Sequence, residues 1–70
     1  MSGTKSFMTQ VEDVKVSGGE LFFGCGVSIN VYVTSDGRYD LYVFDLLKVR
    51  HAQLGVRESV LADTIIALAT

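Results

Sequence analysis

Residues 21–33, LFFGCGVSINVYV, decide the fold that this sequence predicts. Apolar side chains occupy every odd position of the stretch, and small or polar side chains occupy most even positions. A period of two sends alternate side chains to opposite faces of a strand, so the pattern predicts one long strand with an apolar face. The odd positions are Leu21, Phe23, Cys25, Val27, Ile29, Val31 and Val33.

Glycine-containing turns flank this strand on both sides. Ser17-Gly18-Gly19-Glu20 fits a hairpin turn of type I′, because glycine adopts positive φ angles without steric cost. Ser35-Asp36-Gly37-Arg38 contains Asp-Gly, one of the strongest short hairpin signals. Pairing across both turns brings apolar residues opposite apolar residues. The predicted common face consists of Val14, Val16, Leu21, Phe23, Cys25, Val27, Ile29, Val31, Val33, Tyr42, Phe44 and Leu46.

The segments outside the central strand are less regular. Apolar positions change parity between 7 and 16, which favours a strand with a bulge at Glu12-Asp13. The alternative is a short helical turn containing Phe7, Met8 and Val11. Residues 1–6 are predicted to fray, residues 38–49 to form the next strand, and residues 48–53 to form a polar exit before a break at Leu54-Gly55.

The C-terminal segment 57–70 is predicted to be a helix with Ser59 as its N-cap. Its apolar residues extend almost all round the helix, which predicts contacts with the sheet and with a second copy or a partner. Leu61, Ile65, Ile66 and Leu68 are assigned to this core or dimer contact. The predicted fold is α+β: one domain, residues 1–70, with a three-stranded antiparallel meander (β-β-β-α) and one C-terminal helix packed on one sheet face.

Composition narrows the possible functions. The chain has 70 residues, of which 49% are hydrophobic, with one cysteine and a net charge of −2. So short a chain buries about 60% of its unfolded surface, which leaves apolar area for a homodimer or a partner protein. The acidic balance disfavours nucleic acid. The lack of an apolar secretory segment in residues 1–10, together with the single cysteine, predicts a cytoplasmic protein. No membrane helix is expected, because the longest uncharged run, Leu21–Ser35, is too short and too rich in glycine.

The residues with chemical potential do not form a catalytic set. Cys25 reads as a small hydrophobic residue on the apolar face. His51, with Lys48 and Arg50, reads as a solvated strand end, and Asp36 reads as turn chemistry. The sequence therefore predicts no enzyme, no cofactor and no metal site.

The second face of the predicted sheet carries the leading functional hypothesis. Phe22, Tyr32, Tyr39, Leu41 and Val43 would form an exposed apolar and aromatic patch, which is typical of contact surfaces. We expect a small non-enzymatic interaction module, a homodimer, that binds and modulates or inhibits a larger protein. Chains of this size that act alone are often inhibitors or adaptors, including phage-type accessory proteins. Tyr39→Ala is expected to weaken association without unfolding the chain, and Ile65→Asp to disrupt folding.

Other functional classes depend on other residues. A homo-oligomeric small-ligand sensor would use space at Gly24 and Gly26 with polar contacts from Asn30 or Tyr32. Two further sets of residues correspond to a nucleic-acid-binding module and to an enzyme assembled across subunits. The nucleic-acid set is Tyr32, Tyr39, Tyr42, Lys48, Arg50 and Arg57, and the enzyme set is Cys25, Asp45 and His51.

Overall fold

A computed structural model describes residues 6–24, 26–45 and 50–69, with Arg50 described by its backbone alone. The elements follow in the order α1 (Phe7–Ser17), β1 (Gly19–Phe23), β2 (Val27–Val33), β3 (Tyr39–Phe44), β4 (Arg50–Val56), a 3-10 turn (Glu58–Val60) and α2 (Leu61–Ala69). The strands form one antiparallel sheet in the order β1-β2-β3-β4. The α+β class, the antiparallel meander and the C-terminal helix are confirmed, whereas the prediction of three strands and one helix is wrong.

The N-terminal segment is the helix that the sequence prediction placed in a strand. Ser6 caps it, because its Oγ accepts a hydrogen bond from the Thr9 N–H at 3.2 Å. Phe7, Val11 and Val14 are spaced as neighbours on one helical face, and Val11 and Val14 are buried. The strand with a bulge at Glu12-Asp13 is therefore wrong. Ser6 is an ordered cap, and residues 1–5 of the predicted frayed segment lie outside the described residues.

Gly18 ends α1 and leads directly into β1. Its φ angle is 73°, and its N–H donates to the Val14 carbonyl at 2.9 Å. A Cβ at this position would lie 2.7 Å from the Val31 carbonyl oxygen, so the close approach of helix end and sheet requires glycine. The predicted hairpin turn at residues 17–20 is wrong, because the chain passes there from a helix to a strand.

The stretch 21–33 is two strands and not one. Gly24 and Gly26 are turn residues between the two strands, and Gly26 has φ 85° and donates its N–H to the Phe23 carbonyl at 3.0 Å. The register places Phe23 opposite Val27 and Leu21 opposite Ile29. Odd-numbered residues of β1 pair with odd-numbered residues of β2. The apolar alternation in the sequence therefore continues across the turn without a change of phase and does not indicate where the turn lies. Cys25, predicted within the strand, lies outside the described residues.

The β2–β3 hairpin contains Asp36-Gly37 as predicted, but its register differs by one residue. Val33 pairs with Tyr39 around the loop 34–38. Thr34 holds this loop, because its N–H donates to the Arg38 carbonyl at 2.8 Å and its Oγ1 accepts from the Arg38 N–H at 3.0 Å. The pairing of residue 35 with residue 38 is therefore wrong. A shift of one residue exchanges the two faces of β3.

A fourth strand occupies the segment predicted as a polar exit and a break. β4 pairs with β3 through Leu41 opposite Gln53, and a bulge interrupts the register between Tyr39 and Leu41. Gly55 lies at this irregularity with φ 69°, and its N–H donates to Asp40 Oδ1 at 3.0 Å. The predicted strand 38–49 ends at residue 44. Positions 46–49 lie outside the described residues.

The C-terminal helix begins with the 3-10 turn that follows Arg57. Ser59 lies inside this turn, so its prediction as the N-cap is wrong. Leu61 and Ile65 are fully buried, whereas Ile66 is 48% exposed. Leu68 is half-buried against the core. The chain's own sheet therefore covers one side of α2, and no second copy is required to bury Leu61 or Ile65.

Both helices pack on one face of the sheet. α1 contacts β1 and β2, and α2 contacts β2. The buried cluster between helices and sheet consists of Val11, Val14, Leu21, Ile29, Val31, Tyr39, Leu41, Val43, Val56, Leu61 and Ile65. No helix among the described residues is long and apolar enough to cross a membrane. Within residues 6–24, 26–45 and 50–69, no helix packs on the other sheet face.

Candidate protein-binding site on the open sheet face

The sheet face opposite the helices is called the open face below. The strand register arranges its side chains in rows that cross the sheet. The described side chains of the open face are Glu20, Phe22, Ser28, Asn30, Tyr32, Asp40, Tyr42, Phe44, Ala52 and Leu54.

Large aromatic and aliphatic side chains of the open face are accessible to solvent. Phe22 is 74% exposed, Tyr32 55%, Phe44 37% and Leu54 61%. These residues come from four different strands, so the exposed apolar surface extends across the sheet. Isolated exposed hydrophobic residues are common on proteins, but an extended group of them usually marks a contact surface.

Two tyrosines form the best-defined geometry on this face. Tyr32 lies opposite Asp40, and Tyr42 lies opposite Asn30, so the tyrosines are diagonal neighbours on β2 and β3. Their ring centroids are 5.5 Å apart and their planes are inclined at 80°, an edge-to-face pair. Such pairs stabilise a fixed orientation of both rings.

Two grooves lie on either side of Tyr32. The smaller, of about 360 Å³, is on the open face and is lined by Asn30, Tyr32, Asp40, Tyr42 and Phe44. The larger, of about 620 Å³, lies between the end of α1 and the β1–β2 edge. Its lining is Val16, Ser17, Gly18, Gly19, Glu20, Asn30, Val31, Tyr32 and Val33. Each groove contains one carboxylate, Asp40 in the smaller and Glu20 in the larger.

No described lysine or arginine side chain lines either groove. Lys15, on α1, forms an ion pair with Glu12 at 3.0 Å, and the hydrogen bond from this pair raises the pKa of Lys15. Arg38 lies in the loop 34–38, where its Nη1 donates to the Gly55 carbonyl at 3.3 Å. Arg57 follows β4. The charged side chains that line the two grooves are therefore both acidic, Glu20 and Asp40.

The predicted contact residues divide between the two faces. Phe22 and Tyr32 are exposed as predicted. The predicted exposure of Tyr39, Leu41 and Val43 is wrong, because the register of β3 turns them into the core, with exposed fractions of 4%, 0% and 4%. The Tyr39 hydroxyl donates to the Lys15 carbonyl at 2.8 Å and so links the sheet to α1.

Tyr42 and Phe44 are the aromatic members of the site that the sequence analysis misplaced, and Asp40 is an acidic member that it did not name. The prediction placed Tyr42 and Phe44 in the core, because it paired residue 35 with residue 38. Starting the pairing at Val33 and Tyr39 instead would have placed them on the open face. A signal for this register was the Thr34 side chain, which can close a longer loop by hydrogen bonds to the backbone.

The residues of the sensor and nucleic-acid hypotheses are not brought together. Gly24 and Gly26 lie in the β1–β2 turn, at the opposite end of β2 from Tyr32. Tyr39 is on the helix side of the sheet, separated from Tyr32 and Tyr42. Lys48 and the side chain of Arg50 lie outside the described residues. Both functional classes stay predictions.

The residues of the enzyme hypothesis form no described cluster. His51 is exposed on β4, Asp45 follows β3, and Cys25 lies outside the described residues. Over the described ranges, no group of three or more histidine, cysteine, aspartate or glutamate side chains is placed to hold a metal ion.

Comparison of the chain with family models, with curated proteins and with solved structures finds no match.

Proposed function

We propose that this chain is a small non-enzymatic protein-binding module that uses the open face to bind, and so to modulate or inhibit, a larger protein. The observation that carries the proposal is the position of the exposed aromatic residues. Phe22, Tyr32 and Phe44 lie on three adjacent strands, on the sheet face that neither helix covers. A face that served only to contact water would gain nothing from these rings.

The size and chemistry of the rings suit the centre of an interface. A buried phenylalanine or tyrosine contributes roughly 150–250 Å² of contact area. A stable protein–protein interface buries about 800 Å² on each partner, and aromatic anchors at its centre supply most of the binding energy. Phe22 and Tyr32 are more than half exposed and would supply most of the aromatic area, and Tyr42 and Phe44 would add less, because their rings are already partly covered in the free chain.

Self-association through the open face is less favourable than binding a different protein. A two-fold symmetric dimer places the same surface on both subunits. Glu20 and Asp40 of both copies would then lie in one interface, and no described lysine or arginine lines the two grooves that contain them. Like charges in an interface cost binding energy. The homodimer stays a prediction, and we propose a different protein as the occupant of the open face.

The experiment compares capture by matched variants. The full-length chain, carrying a short affinity tag, is incubated with lysate of its source cells, and bound proteins are identified by mass spectrometry. The double variant Phe22→Thr/Tyr32→Thr removes two rings from the open face, and threonine retains a preference for strands. The control, Ile66→Gln, removes a comparably exposed apolar side chain from the outer side of α2.

The proposal predicts a protein that the wild-type chain and Ile66→Gln both retain and that the double variant loses. Circular dichroism must show that all three chains are folded. Equal retention by all three folded chains would contradict the proposal, as would loss with Ile66→Gln alone. Light scattering on the wild-type chain completes the comparison, since a dimer that dissociates in the double variant would make a second copy the occupant of the open face.

A further inference from the structure

We infer that the smaller groove of the open face binds a cationic side chain, an ammonium or guanidinium group, presented by a basic segment of the partner protein. The groove is lined by three aromatic rings and one carboxylate, those of Tyr32, Tyr42, Phe44 and Asp40. The inference rests on the proposed function, since it names the chemistry of the partner that the open face would bind.

The aromatic walls of the groove are arranged around a corner. The rings of Tyr32 and Tyr42 meet at 80° with their centroids 5.5 Å apart, and Phe44 contributes a third ring to the same lining. The face of an aromatic ring carries negative potential and attracts a cation within about 6 Å of the ring centre. Several rings around one space are the arrangement by which proteins recognise alkylated ammonium groups.

Asp40 supplies the negative charge in the groove, which favours a cationic ligand over a neutral or aliphatic one. It lies directly opposite Tyr32 on β3, and its Oδ1 accepts a hydrogen bond from the Gly55 N–H at 3.0 Å. This bond fixes the carboxylate at the β3–β4 irregularity. A carboxylate offers about four acceptor positions, so the bond to Gly55 leaves capacity for a donor in the groove.

Charge on the neighbouring surface favours a basic segment over an isolated cation. Tyr32 also lines the larger groove, which contains Glu20. A chain segment that crosses Tyr32 therefore meets one carboxylate on each side of the ring. The described side chains of both grooves include no lysine or arginine. A second copy of this chain would present the same acidic surface, whereas a segment with spaced basic residues complements it.

The test titrates the isotopically labelled full-length chain with small probes and follows ring and backbone resonances by NMR. The cationic probes are N-acetyl-lysine methylamide, its Nε-trimethyl derivative and N-acetyl-arginine methylamide. N-acetyl-norleucine methylamide is the neutral control, since it keeps an aliphatic chain and lacks the charge. We expect saturable millimolar shifts centred on Tyr32, Tyr42 and Asp40 with the cationic probes, and no saturation with norleucine.

Two variants separate the contributions of charge and ring. Asp40→Asn keeps an acceptor for the Gly55 N–H and removes the charge, so affinity is expected to fall about fivefold with the fold intact. Tyr42→Leu removes one ring and is expected to lower affinity about two- to fivefold. The matched control, Asp63→Asn, removes one negative charge from the exposed side of α2 and should leave affinity unchanged.

The outcomes distinguish this inference from the proposed function. Equal affinity for norleucine and lysine probes, or equal loss with Asp40→Asn and Asp63→Asn, would overturn the cationic site. Protein capture that depends on Phe22 and Tyr32 would still stand in that case. Conversely, saturable cation binding with no captured protein would overturn the proposed function and leave the groove as a binding site for cationic groups.

Discussion

The two faces of the sheet are built from different kinds of residue. The helix-covered face is mainly aliphatic, and Ile29, Val31 and Leu41 are almost completely buried there. On the open face, Phe22 and Tyr32 are more than half exposed among polar and acidic neighbours. Aliphatic side chains suit a dry, close-packed core, whereas aromatic rings with polar neighbours suit a surface that is wet in one state and buried in another. The difference fits the proposal that folding depends on one face and recognition on the other.

The largest expected effect comes from placing a charge beneath α2. Ile65 is fully buried against the sheet, so Ile65→Asp would bury an unpaired carboxylate and is expected to reduce the free energy of unfolding by more than about 4 kcal/mol. Ile66→Asp, one position further on the exposed side, should reduce it by less than about 1 kcal/mol. Urea unfolding followed by circular dichroism measures both. Equal effects of the two substitutions would show that α2 is rotated on the sheet.

Two adjacent residues of β3 test the register and so the assignment of the faces. Leu41 is fully buried, and Leu41→Ala is expected to cost about 2–5 kcal/mol of stability through lost packing and a residual cavity. Tyr42→Ala removes a half-buried ring and its contact with Tyr32, and is expected to cost about 1 kcal/mol. Denaturant midpoints give the order of the two variants. The reverse order would restore the register with residue 35 paired to residue 38.

Removal of the hydroxyl group is expected to affect stability differently for Tyr39, on the helix-covered face, and Tyr32, on the open face. Tyr39→Phe removes the hydrogen bond to the Lys15 carbonyl and is expected to cost about 1 kcal/mol, because that carbonyl loses its donor near the core. Tyr32→Phe, on the open face, should change stability by less than about 0.5 kcal/mol. Thermal unfolding of the two variants provides the comparison. Tyr39→Ala is now expected to destabilise the fold, contrary to the effect predicted from the sequence. A Tyr39→Phe variant as stable as wild type would remove the link between sheet and α1.

The smallest expected effect lies in the loop 34–38. A hydrogen bond from the Thr34 hydroxyl lowers the pKa of Asp36 below its ordinary value of 3.8. The native state thus favours the ionised carboxylate, so this stabilisation is present above that ordinary value and is lost as the pH falls through the native pKa. Asp36→Asn should lower the unfolding midpoint slightly at about pH 7 and not at all below the native pKa. A difference that persists undiminished in acid would contradict this role for Asp36.

The sequence predicted the apolar parity of β1 and β2 correctly, because parity is a property of the side chains alone. The sequence did not reveal the turn between β1 and β2. Phe23 pairs with Val27, so the apolar odd-numbered residues of both strands lie on the same sheet face and the alternation looks like that of one long strand. The prediction also placed Tyr42 and Phe44 on the wrong sheet face. The side chains of β3 that point to each face depend on the length of the hairpin loop, which is two residues in the predicted pairing and five residues in the loop that Thr34 closes. The hydrophobic period indicates which residues of one strand share a sheet face. The geometry of the connecting loop sets the register, and so determines which residues of the next strand lie on that same face.

The N-terminal segment was wrongly predicted for a different reason. Ser6 as an N-cap, the spacing of Phe7, Val11 and Val14, and Gly18 after the last turn are all helix signals. The alternating parity of the apolar residues favoured a strand over the alternative helical turn, and the two glycines fit a hairpin turn equally well in isolation. The close approach of Gly18 to the Val31 carbonyl is a tertiary requirement for glycine, and local sequence patterns do not report it.

The proposal that the open face binds the partner protein is tested most directly by hydroxyl-radical labelling of the wild-type chain, both free and bound to the captured protein. In the free chain, Phe22 and Tyr32 should be labelled strongly and Tyr39 weakly, in line with their exposed fractions. On binding, Phe22 and Tyr32 should become protected, while Met8 on α1, 53% exposed, keeps its labelling. Protection of Met8 with unchanged labelling of Phe22 and Tyr32 would contradict the assignment of recognition to the open face.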